Sequence, residues 1–197
     1  FLGLRTLTVI HDAEQMIRRR EPDFRVDHIS TEDPDTYRML AAGQTEGVFQ
    51  FESAGMRSVL MQLGPESLED LIAVISLYRP GPMESIPRYI RNRHNPELVT
   101  YLHPMLEPIL KVTYGCMVYQ EQIMQIFRSL AGYTLGRADI VRRAMAKKKK
   151  DVMERERQIF VNGLTDENGN VIVEGCLKRG VDEKSAMAIV SEMESFA

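Results

Sequence analysis

The sequence predicts a mainly α-helical protein with a few short strands, an α+β chain dominated by its helices. Three observations predict this. Apolar residues recur at helical spacing through most of the length, as in "RTLTVIHDAEQMIRRR" and "SLEDLIAVISLY". Proline and glycine pairs punctuate those stretches and stop each helix from running into the next. β-Rich stretches are confined to "GVFQF" and "VIV".

Residues 5–20 form the first predicted helix and close on Arg18, Arg19 and Arg20, cations suited to the negative end of a helix dipole. Asp33-Pro34 supplies an N-cap and a first-turn proline for a short helix through Leu40. Residues 47–51, "GVFQF", alternate and predict a strand. "AGMRSVLMQL" and "SLEDLIAVISLY" predict two helices separated by Gly64-Pro65. "RPGPM" can extend neither neighbour, because its prolines lack amide donors and fix turns. A helix over 84–93 follows, then a loop, then "HPMLEPIL", "GCMVYQEQIMQIFRSLAGY" and a basic segment. "TDENGNVIVEG" predicts a β-hairpin near 164–175, turning at Asn168-Gly169 beside Val171, Ile172 and Val173. Asp182 caps a last helix through Met193.

At 197 residues the chain can form one domain, or a domain with an appendage, and bury about 70% of its unfolded surface. Its 44% hydrophobic and 27% charged residues are those of a soluble globular protein. The net charge of -3 means that any affinity for nucleic acid must come from a local patch. Cys116 and Cys176 lie far apart with no CxxC, so a reducing cytoplasmic setting without a disulfide framework is expected. His11, His28, His94 and His103 are scattered, and no metal site is expected on this chain. The longest apolar run, residues 71–78, is far shorter than the roughly 20 residues of a membrane span. No signal peptide is visible, and no membrane partner is expected. The chain opens on Phe1 and closes on "ESFA", the pattern of a piece of something longer.

Charge is concentrated in "DIVRRAMAKKKKDVMERER". Between residues 137 and 157, nine Arg and Lys stand against four Asp and Glu, a local excess of five positive charges. At about 100° per residue, Ile140, Val141, Ala144 and Met145 share one apolar stripe, and Arg142, Arg143 and Lys147 project opposite it. Arg143 and Lys147 are one turn apart and repel unless an anion lies between them. Such a face is either a solvated helix or a phosphate clamp, in which arginine forks bind bidentately and lysines add point charge.

Other residues bear on the choice. "LYRPGPM" holds Arg79 at the mouth of a stiff turn, with Arg88, Arg91 and Arg93 soon after. Tyr114, Tyr119, Gln120 and Gln122 can stack on bases or read hydrogen bonds, while Ile123, Ile126 and Phe127 at helical spacing are core. Glu32, Asp33 and Asp35 are better read as helix-capping than metal-binding, and Glu69-Asp70 belongs in a first helical turn. There is no Walker motif, GxSxG or HExxH, and no self-contained catalytic constellation.

"FLGLRTLTVI", "GVFQFESAGM", "LYRPGPM", "YGCMVYQEQIMQI", "LAGYTLGRADIVRRAMAKKK" and "EMESFA" occur in that order. Together they resemble the bacterial DNA polymerase III alpha subunit, the replicative C-family polymerase, over essentially the whole chain. The resemblance implies that residues 1–10 are the end of the palm domain and residues 11–197 a partial, helical fingers domain. It implies a DNA-directed DNA polymerase whose catalytic palm carboxylates, with their Mg2+, lie outside this chain, so the fragment alone is expected to be inactive. Two departures stand out: Ala146 replaces a glycine common in the family after "RRAM", and the 164–175 hairpin is an insertion relative to shorter members.

On this resemblance Arg142 and Arg143, with Arg79 and Lys147, are the residues expected at the triphosphate of an incoming dNTP. Tyr119 and Gln120 are expected near the nascent base pair. Lys148, Lys149 and Lys150 are expected at the backbone of the DNA primer-template. Other replicase subunits are the expected protein partners. On the residues alone, a non-enzymatic nucleic-acid-binding module and a protein-interaction domain with solvated basic helices stay open.

Overall fold

The computed structural model describes residues 3–147 and 150–196, the side chains of residues 146 and 150 excepted. These residues form two compact units, Phe1–Ile72 and Ala73–Ala197. The architecture is mainly helical, with one two-stranded antiparallel sheet.

In the first unit, α1 spans Arg5–Arg18 with none of its residues buried. Asp33 caps α2 (Pro34–Ala41) by accepting from the amides of Asp35 and Thr36 at 3.3 and 3.2 Å, and Pro34 opens it, as the sequence predicts. Ser53 caps α3 (Ala54–Leu63), which packs against α2 and stops at Gly64 in the left-handed conformation. Met56, Leu60 and Leu63 form its buried stripe.

The strand predicted at 47–51 does not form. Gly47 and Gln50 take φ of 74° and 70°, a left-handed conformation that a strand cannot hold. Two consecutive turns replace it: Val48 N donates to Thr45 O at 3.1 Å, and Phe51 N to Val48 O at 3.0 Å. The buried Thr45 hydroxyl closes the loop by donating to Phe51 O at 2.7 Å. Alternation here reflects burial of Phe51 within a folded loop, not a pleat.

Helix α4 (Leu68–Leu77) opens with Glu69 and Asp70 in its first turn. Asp70 is buried and accepts from the Glu66 amide at 2.9 Å, a structural use of that carboxylate. In the second unit, "RPGPM" turns the chain into a 3-10 turn, Pro82–Ser85, and then α5 (Ile86–His94). Gly81 makes that turn possible at φ 94°. Short α6 (Glu107–Leu110) precedes the central helix α7 (Gln120–Ala131). Ile123, Ile126, Phe127 and Leu130 are buried along α7, the expected core face.

Helix α8 (Leu135–Ala146) packs on α7, and α9 (Lys150–Asn162) packs on α8 and on α10 (Glu183–Phe196). Phe160, fully buried, meets Phe127 edge-on at 5.2 Å. The predicted hairpin forms from β1 (Leu164–Thr165) and β2 (Val171–Val173), with Leu164 opposite Val173. Asp166 organises its turn by accepting from the amides of Asn168 and Asn170 at 2.9 and 2.8 Å. Asp182 accepts from Ser185 N at 2.9 Å at the start of α10, which extends to Phe196 rather than Met193. Cys116 and Cys176 are buried free thiols, and burial pushes the Cys176 thiol up to about 12. Among the described residues no helix is long and apolar enough to cross a membrane.

Candidate functional site

The site is built around the N-terminus of α7. Arg79 leaves the end of α4 through the stiff proline turn, and its guanidinium lies over the Phe196 ring at 5.5 Å. Its Nε is buried without a hydrogen-bond partner. An open cleft of about 280 Å³ lies here, lined by Arg79, Ser76, Tyr119, Gln120 and Glu121. Tyr119 is the N-cap position of α7, so the cleft meets the positive end of a helix dipole beside an arginine.

Gln122, a candidate reader of hydrogen bonds in the sequence, is instead buried framework. Its Oε1 accepts from the amides of Val118 and Tyr119 at 2.9 and 3.0 Å. Its Nε2 donates to Ile109 O at 3.2 Å and to the Thr113 hydroxyl at 2.8 Å. One side-chain amide thereby fixes the turn that presents Tyr119 and Gln120. Tyr114 likewise packs edge-on against Tyr89 at 5.4 Å, and its carbonyl accepts from Asn92 Nδ2 at 2.8 Å.

Helix α8 brings one of its basic residues, Arg142, to the cleft wall. Thr134 caps it by accepting from Arg137 N at 3.3 Å. Val141 and Met145 are buried as the apolar stripe requires, but Ile140 is 68% exposed and is no part of the scaffold. Ala138, Val141 and Met145, three and four residues apart, form the buried line of α8; Ala144 is half-buried at its edge and Ile140 falls outside it. Arg142 is half-buried: Nε and Nη2 donate to Asp139 Oδ1 at 3.1 and 2.7 Å, and Nη1 donates to Gln120 Oε1. Arg143 is largely exposed, and its Nη2 pairs with Asp139 Oδ2 at 2.7 Å. Hydrogen bonds from Arg142, aided by Arg143, hold the Asp139 carboxyl below the usual carboxylate range.

Arg79, Tyr119 and Gln120 therefore line one cleft, Arg142 meets its wall through Gln120, and Arg143 is paired with Asp139 while most of its side chain faces solvent. Lys147 is exposed at the C-cap of α8, one turn beyond Arg143. Lys148 and Lys149 lie outside the described residues; Lys150 opens α9, and its side chain is not described. Asp139 was not among the residues singled out in the sequence. Its signal was present: a carboxylate three and four residues before two arginines is the spacing of intrahelical ion pairs.

A family profile described as the bacterial DNA polymerase III alpha subunit finger domain matches residues 6–168. The chain belongs to that finger-domain family. The DNA polymerase III subunit alpha of Staphylococcus aureus strain MRSA252 is 52% identical over 170 residues, covering 86% of this chain and 16% of the relative. That of Staphylococcus epidermidis strain ATCC 12228 is 53% identical over 167 residues, covering 83% of this chain and 15% of the relative. This finger-domain chain thus spans about one-sixth of the length of the curated relatives it matches. The matched residues include the whole cleft and all of α8.

Proposed function

We propose that this chain is the fingers segment of a replicative DNA-directed DNA polymerase, and that the cleft at the start of α7 receives the triphosphate of an incoming dNTP. Arg79 and the α7 N-terminus at one cleft, with Arg142 bound to its wall residue Gln120 and Arg143 beside it on Asp139, carry the reading. The names of the relatives, DNA polymerase III subunit alpha, support the polymerase assignment. Residues 1–10 then lead out of the palm and 11–197 belong to the fingers, with α1 running unbroken across that junction.

Phosphoryl transfer gathers negative charge on the triphosphate, and prepositioned cations stabilise it without reorganising during the reaction. Arg79 and Arg143 supply guanidinium groups, and Lys147 adds a point charge from the end of α8. Tyr119 and Gln120 face the nascent base pair, and lysines 148–150 meet the primer-template backbone. Among the described residues no group of three or more His, Cys, Asp or Glu could hold a metal ion. We assign the magnesium ions of the reaction to palm-domain carboxylates of the polymerase, and this chain performs the binding and orienting steps. The other replicase subunits are its protein partners, in the cytoplasm.

The test uses a complete polymerase containing this segment. Arg143→Ala should lower single-turnover incorporation efficiency for all four dNTPs by about 10²- to 10³-fold, as for loss of one preorganised donor. Primer-template affinity, titrated at matched salt, should change little. If Arg143→Ala damages DNA binding alone, the segment is a backbone clamp and the triphosphate reading fails.

A further inference from the structure

Arg142 and Arg143 are adjacent in sequence but engaged in different ways. Arg142 commits Nε and Nη2 to one oxygen of Asp139 and Nη1 to the Oε1 of Gln120, a residue of the cleft wall. Arg143 commits only Nη2, to the other oxygen of Asp139, and its side chain is 68% exposed. Asp139 thus ties one arginine to the protein and leaves most of the other's fork to solvent. With one N–H of each of its three nitrogens already given to a protein acceptor, Arg142 is less free than Arg143 to turn its fork onto a phosphate.

We propose that Asp139 and Arg142 are positioning residues that hold the Gln120 side-chain amide with its oxygen turned away and its NH2 group offered to the cleft, while Arg143 meets phosphate. This inference rests on the dNTP reading of the same site. With Oε1 accepting from Arg142, Nε2 is the end of the amide left for a ligand, and it can only donate. Without Arg142 the amide is free to rotate and to present an acceptor instead. A fixed donor suits a site that must serve all four nucleotides, because every base pair carries acceptors on its minor-groove edge. The carboxylate is what holds the lock: it fixes the planar guanidinium at two nitrogens, a geometry a lysine cannot reproduce.

The experiment measures single-turnover incorporation against dNTP concentration in the complete polymerase, with a primer-template titration alongside. Gln120→Glu keeps an acceptor for Arg142 but removes the donor, and should raise the half-saturating concentration of every dNTP about tenfold, the worth of one hydrogen bond. Arg142→Lys should do the same despite keeping its charge, and should add nothing in a Gln120→Ala background. Arg143→Lys, which keeps a cation at the phosphate, should retain most of the efficiency lost in Arg143→Ala. Wild-type dNTP dependence in Gln120→Glu overturns the proposal, as does full rescue of Arg142→Ala by Arg142→Lys. If every variant, Arg143→Ala included, changes only primer-template affinity, the nucleotide reading itself fails and takes this proposal with it.

Discussion

Gly163 and Gly175 cross at the base of the hairpin so closely that a Cβ on Gly175 would lie 2.3 Å from the Gly163 amide nitrogen. A Cβ on Gly163 would stand 2.5 Å from the Glu174 carbonyl oxygen. Both glycines take positive φ, 87° and 82°. The crossing anchors the hairpin to the helices, since Gly175 N donates to Ala131 O at 3.0 Å and Cys176 N to Phe160 O at 2.8 Å. The hairpin is thus tied to the C-terminal end of α7, the opposite end from the cleft.

Gly175→Ala should destabilise the protein by at least about 2 kcal/mol, combining a strained left-handed alanine with a backbone clash that no side chain can relieve. Gly136→Ala is the control: nothing lies within 4 Å of the added Cβ and the residue sits in α8. It should be neutral or stabilise by up to about 1 kcal/mol. Thermal unfolding of both variants makes the comparison; equal midpoints would remove the structural importance of the crossing.

Gln122→Leu should cost about 2–4 kcal/mol, because it leaves the buried amide of Val118 and the half-buried amide of Tyr119 without their acceptor. Urea unfolding should show a lower midpoint at an unchanged slope. Because the same amides set the turn before α7, the variant should also weaken any ligand held at Tyr119 and Gln120. A midpoint equal to wild type would mean that the loop re-satisfies those donors.

The lysines 147–150 should give weak, sequence-independent DNA binding that falls steeply with salt. Each phosphate neutralised on duplex DNA contributes a log-log slope of about -0.9. Replacing all four with alanine should flatten that slope while leaving the fold intact. An unchanged slope returns this stretch to the role of a solvated surface.

Much of the fold was legible residue by residue. Asp33-Pro34 and Asp182 marked helix starts because capping joins a side chain to amides only two or three residues away. Gly64 marked a helix end, and Asn168-Gly169 a hairpin turn, because each depends on the conformational freedom of its own backbone. The six ordered motifs likewise pointed to the family that the profile match then showed.

The sequence by itself therefore determined the helix order, the hairpin, the family and the basic character of α8, all of which follow from interactions within a few residues or from pattern alone. Tertiary structure decided the rest. "GVFQF" alternates like a strand, yet among the described residues no second strand pairs with it, and Gly47, Gln50 and the Thr45 hydroxyl bend it into turns. Gln122 and Gln120 are two residues apart on α7, and only the packing of the preceding segment buries the first and leaves the second in the cleft wall. Arg142 and Arg143 are chemically identical neighbours. The seating of α8 on α7 turns one toward Gln120, 22 residues away, and the other toward solvent, because adjacent side chains on a helix point about 100° apart.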